Sequence, residues 1–208
     1  MIEVNWLLFV AASLVLIVTP GQDMILVMSR SIAQGAAAGV ATATGVCSGL
    51  VVHTLLATLG LGSLIRASEL LYLGLKLAGA IYLAWMGLQL LRAPQRELAF
   101  TGLQPKLPWR MFMDGALSNV CNPKIAVFYL TFLPQFVEPG AAHATLSIFA
   151  LGLAFAVLAL LVKGPIGFGA ASLSAWLRVH PQSLAWLFRT SGAVLVGLGV
   201  QMAWQHGV

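Results

Sequence analysis

Six apolar stretches, each about the twenty residues a helix needs to cross a bilayer, follow one another along the chain. They cover about residues 6–28, 36–64, 70–91, 111–136, 145–162 and 184–204. The pattern predicts an all-α integral membrane protein of six transmembrane helices in a single domain over residues 1–208. One long polar connection, 92–110, holds Arg92, Arg96, Lys106 and Arg110 with Pro94, Pro105 and Pro108. It reads as a basic loop. Residues 145–177 are apolar apart from Lys163 and too long for one ordinary span. Gly164-Pro165, followed by Gly167 and Gly169, predicts a break there, leaving 168–177 as a short interfacial helix.

Two of the apolar stretches are interrupted at matching places. Thr19-Pro20-Gly21-Gln22-Asp23 lies in the first and Cys121-Asn122-Pro123-Lys124 in the fourth. Proline has no N–H to donate, so it frees a carbonyl one turn back, and in lipid that carbonyl needs another partner. Broken helices in corresponding positions of two halves point to a binding site near the bilayer midplane. Three spans per half, an odd number, make the halves inverted repeats: about 1–92 and 111–208, with the loop between them. Lys76-Leu77-Ala78-Gly79-Ala80 and Arg189-Thr190-Ser191-Gly192-Ala193 share a basic-x-x-Gly-Ala opening in the third and sixth spans. Lysine and arginine collect in cytoplasmic loops. Placing 92–110 inside also places Arg30, Arg178 and Arg189 inside and leaves Arg66, Glu69 and Glu138 opposite. Both termini are then expected outside, in the periplasm.

Composition agrees. Hydrophobic residues are 60% of the chain and charged residues 8%, with a mean hydropathy of +0.93, which leaves too little polar surface for a soluble globule. The net charge of +5 is scattered over span ends instead of forming a run, so no nucleic-acid partner is expected. Glu3 stands where a signal peptide would be basic, so the first span is expected to be retained. Cys47 and Cys121 both fall in apolar segments without CxxC or metal-ligand spacing. Glycines four apart, as at Gly35 and Gly39 or Gly45 and Gly49, predict close helix crossings.

Candidate chemistry centres on the breaks. Asp23 sits in the first turn of the half-helix that restarts after Pro20, where the helix dipole favours negative charge. It is read as a group for binding substrate or a proton. Lys124 follows Pro123 deep in its span, where its ammonium and the helix-start amides suit a carboxylate, and Asn119 and Asn122 add polar groups nearby. His53 and Lys163 are candidates for a proton relay with Asp23; a histidine bonded to a backbone carbonyl is an equal reading of His53. Lys76, near an outer span end, is expected to snorkel. Ser48 and His53 are about 140° apart on one helix and cannot pair as nucleophile and base. No catalytic motif or cofactor signature occurs.

These residues resemble those of the lysine exporter superfamily, in its homoserine/threonine resistance branch. The resemblance rests on Thr19-Pro20-Gly21 with Asp23, on Lys76-x-x-Gly79-Ala80-x-Tyr82-Leu83, and on Asn122-Pro123-Lys124 followed by Phe132-Leu133-Pro134-Gln135-Phe136. It implies a six-helix exporter of amino acids in the bacterial inner membrane, driven by ion exchange. It carries a site role to Pro20, Gly21, Asp23, Asn122, Pro123 and Lys124. Gln22 replaces a frequent second proline, and residues 158–165 lack an acidic residue that many members carry, so the substrate stays unnamed. The expected partners are an amino acid, protons or another coupling ion, and the lipid bilayer; oligomeric state is open, a homo-oligomer included. The expected mechanism is proton-coupled alternating access. Two rivals remain at this point, a membrane thiol oxidoreductase using Cys47 and Cys121, and a small-ion exporter.

Overall fold

The computed structural model describes residues 4–67, 69–92, 106–137, 141 and 143–205. Residues 93–105 of the basic loop lie outside that set, as do Glu138 and the side chains of Arg66, Glu69 and Arg178. The described residues form eight α-helices: α1 Trp6–Val18, α2 Gln22–Gln34, α3 Ala36–Ala67, α4 Glu69–Leu91, α5 Pro108–Val120, α6 Pro123–Phe132, α7 Ala144–Val179 and α8 Pro181–Gln205. A 3-10 turn, Leu133–Phe136, follows α6. Among the described residues the only β pairing is a single bridge between Val4 and Val137.

The first span is broken where the proline predicts. Thr19, held extended as residues before proline are, ends α1; Gly21 begins α2, and the two helices bend by 51°. The Thr19 hydroxyl donates to the Val15 carbonyl at 2.6 Å, covering one of the end carbonyls of α1. The second break lies between α5 and α6. Asn122 is extended before Pro123, which takes the first helical position, and its side chain accepts from the Lys124 N–H at 3.0 Å.

Helices α3, α4, α7 and α8 are each long and apolar enough to cross a membrane, and the bent α1–α2 pair would make a fifth span. The α5–α6 pair is not among them, and it carries Arg110, Asp114 and Lys124. At α7 the structure departs from expectation. The helix runs on through Gly164-Pro165 and is kinked at Gly169, the one internal residue with non-helical angles. Pro165 removes one N–H from the ladder but its φ is helical; the glycine four residues later absorbs the distortion.

Glycine decides how closely the helices approach. Helix α3 packs against α5 and α7, and α4 against α8. A Cβ at Gly115 would lie 2.5 Å from the Thr42 carbonyl, and one at Gly87 2.6 Å from the Gly192 carbonyl. Gly39 on α3 and Gly167 on α7 face each other in the same way. Lipid supplies no hydrophobic force between helices, so such close packing holds them together. One end of the bundle is sealed by Phe9, Phe132 and Phe136, with ring centroids 4.8 to 6.0 Å apart. At the same end Tyr72 donates to the Pro134 carbonyl and Lys76 to the Val137 carbonyl, at 3.1 and 3.0 Å.

Candidate functional site

The two breaks meet. Asn122 donates through Nδ2 to Gln22 Oε1 at 3.4 Å, bridging the restart of α2 and the restart of α6. Around this junction lies a cavity of about 460 Å³. Its polar wall includes Thr19, Gln22, Asp23, Asn122, Lys124 and Lys163, while Leu50, Phe128 and Phe155 are among its apolar groups.

Asp23 is 7% exposed and shares one oxygen between two partners. Its Oδ2 accepts from Asn119 Nδ2 at 2.8 Å and lies 3.3 Å from Lys163 Nζ. Lys163 is equally buried, so the pair puts opposite charges from α2 and α7 on one cavity wall. Each offsets the large desolvation penalty of the other. The second carboxylate oxygen, Oδ1, is buried without a hydrogen-bond partner among the described residues. Asn119 is fully buried; its own carbonyl takes a hydrogen bond from His53 Nε2 at 3.1 Å. Four helices, α2, α3, α5 and α7, thus converge on one polar chain: Lys163, Asp23, Asn119, His53.

The sequence candidates sort accordingly. Pro20, Gly21, Asp23, Asn122, Lys124 and Lys163 line the cavity. Asn119 and His53 stand behind Asp23, with His53 in its carbonyl-bonded reading. Pro123 sets the break. Lys124 is exposed on the cavity wall and does not pair with Asp23. Lys76 corrects an expectation. It is 3% exposed and lies 5.1 Å from the centroid of the Tyr72 ring. Its carbonyl also accepts from Gln135 at 2.7 Å. The Val137 carbonyl, just after the 3-10 turn, is close enough to hold the ammonium inside, so it has no need to reach water.

A second acidic residue stands near the start of an apolar stretch. Asp114, on α5, accepts from Arg30 of α2 at 2.9 Å and from Lys106 at 2.6 Å.

The LysE type translocator family matches residues 14–206. The chain belongs to that family. This translocator is 33% identical to an uncharacterized membrane protein of Pseudomonas aeruginosa, over 94% of its own length and 93% of the relative's. It is 31% identical, over 95% of both chains, to a Salmonella typhimurium protein named homoserine/homoserine lactone efflux protein. A Salmonella choleraesuis protein named leucine efflux protein shares 26% identity over 71% of this chain and 70% of the relative. No solved structure matches.

The translocator is a transport protein and not an enzyme, which removes the thiol oxidoreductase. Cys47 and Cys121 are both free, one buried on α3 and the other exposed beyond α5. Among the described residues no three of His, Cys, Asp and Glu gather as metal ligands, so the small-ion exporter gains no ligand set. Sequence reasoning missed Trp85 and Gln89, which line the cavity from α4. Their i, i+4 spacing, with a polar residue in an apolar span, was the available signal. Gln22, a departure from the family pattern, joins the breaks.

Proposed function

We propose that the protein exports amino acids or close derivatives from the cytoplasm across the bacterial inner membrane, by proton-coupled alternating access of two inverted three-helix halves. The observation that carries this reading is the cavity at the meeting of the two breaks, with a carboxylate and two ammonium groups on its walls. An α-amino acid presents one charge of each sign, and the cavity walls carry groups of both signs. Asp23 takes the substrate ammonium, its Oδ1 being the acceptor without a partner. Lys124 and the amides that open α2, which no side chain caps, draw in the carboxylate. The bend at residues 19–21 and the matching break at 121–122 give each half a joint beside the substrate. Protonation of Asp23 from the periplasmic side releases the ammonium, and Lys163 and His53 are the groups along which the proton is handed on or held. The efflux names of two relatives favour amino-acid cargo.

The test is efflux of a labelled amino-acid panel from proteoliposomes with an imposed pH gradient. Wild type is expected to export at least one amino acid faster with the gradient than without it. Asp23→Asn, which keeps volume and an acceptor oxygen but cannot carry the charge, is expected to lose the gradient-driven part by about a hundredfold. Near wild-type stimulation by Asp23→Asn, at equal amounts of monodisperse protein, would sink the coupling role.

A further inference from the structure

We infer that the substrate binds by inserting into the Asp23–Lys163 ion pair, its ammonium taking Asp23 and its carboxylate taking Lys163, so that the pair acts as a clasp that only a zwitterion opens. This rests on the export reading above and adds the selection rule of its site. The contact is 3.3 Å long, lies on the cavity wall, and joins the restart of α2 to α7. Both side chains are nearly sealed from water, with exposures of 8% and 9%. Asn119 keeps hold of Asp23 Oδ2 from behind. Asp23 therefore stays in place if Lys163 swings away, and its Oδ1 is ready for a second donor.

Opening a buried pair leaves two uncompensated charges, which is strongly unfavourable unless both are matched again. A zwitterion matches both at once. An amine without a carboxylate rescues Asp23 and strands Lys163; a carboxylate without an amine does the reverse. Lys124, exposed on the same wall, draws carboxylates toward the cavity but is not part of the clasp. His53 is set back from the pair, bonded to the Asn119 carbonyl at 3.1 Å. Discrimination by charge pattern leaves the side chain to the apolar lining, where Leu50, Phe128 and Phe155 suit an aliphatic residue.

The experiment compares equilibrium binding of leucine, leucinamide and 4-methylpentanoate, which share one side chain, to purified protein. If another amino acid binds better in the panel, it is used with its own amide and desamino acid. Wild type is expected to prefer the zwitterion by at least about a hundredfold over either analogue. In Lys163→Gln the leucine-to-leucinamide ratio should fall to about tenfold or below, with no gain for 4-methylpentanoate. Asp23→Asn should do the opposite, and Lys163→Arg should restore the wild-type order. Wild type that binds leucinamide within tenfold of leucine overturns the clasp, and that comparison needs no variant to fold. An unchanged ratio in Lys163→Gln overturns it as well while leaving export intact. Wild type that binds no amino acid in the panel removes the export reading itself.

Discussion

Burial and partner, more than position in a span, separate the lysines of this protein. Lys163 is buried against a carboxylate, Lys76 is buried against the Val137 carbonyl and a tyrosine ring, and Lys124 is exposed on the cavity wall. The two last should therefore fail differently. Lys76→Ala removes a charged hydrogen bond and the packing of a buried stem, a loss of about 2–4 kcal/mol, seen as a lower melting temperature with binding per folded molecule unchanged. Lys124→Ala leaves the melting temperature in place and weakens amino-acid binding about tenfold or more. Equal effects of both variants on both measurements would contradict the assignment. The sequence made Asp23 conspicuous, because a carboxylate in an apolar run has few bland explanations. It could not reveal the partner of Asp23. Lys163 is 140 residues away, and nothing local in its helix says which face meets α2. The burial of Lys76 is illegible for a related reason, since its own span shows only its depth while the carbonyl that holds it, of Val137, follows the turn after α6.

At the level of elements, residue chemistry and observed breaks agree closely. Both prolines stop a helix, in each case with an extended residue before the proline and a helix restarting within two residues. Gly164-Pro165 looked like a third case and is not one. Proline tolerates helical φ, and a break needs neighbours that make leaving the helix worthwhile. Gly169 supplies the bend instead. Glycine spacing was legible as close packing, whereas the choice of partner was not: Gly45 and Gly115 serve α3 against α5, and Gly87 and Gly192 serve α4 against α8. This gives a paired expectation. Gly115→Leu drives a side chain into the Thr42 carbonyl, displaces α5 from α3 and should cost about 3 kcal/mol or abolish folding. Gly74→Ala, on α4 with nothing within 4 Å of its Cβ, should be neutral or stabilise by up to about 1 kcal/mol. Thermal melting of the two in one detergent decides it; comparable destabilisation would mean that the crossing is not held by glycine.

Across the whole molecule the ends of the helices collect their charges on one face. Arg30 and Gln34 at the end of α2 contact Asp114 and Lys106 at the start of α5. Helix α3 starts beside Gln34 and α4 returns, so the end of α4, with Arg92, lies on this same face. The Gly87–Gly192 contact brings the start of α8, with Arg189, alongside. The opposite face holds Val4, Asn5, the 3-10 turn and Val137, together with the end of α3 that carries Arg66; Lys76 is turned inward there. Each lysine or arginine moved across the bilayer is costly during insertion, so the basic face is expected in the cytoplasm and the termini in the periplasm. The expected result is a labelling pattern. In a Cys47→Ser, Cys121→Ser background, Ala141→Cys should react with a membrane-impermeant maleimide in intact spheroplasts, while Gln104→Cys should react only after permeabilisation. An inverted insertion exchanges the two outcomes. Because export requires the cavity to open first toward the basic face, labelling of Gln104→Cys in intact spheroplasts would also reverse the direction of transport assigned to this protein.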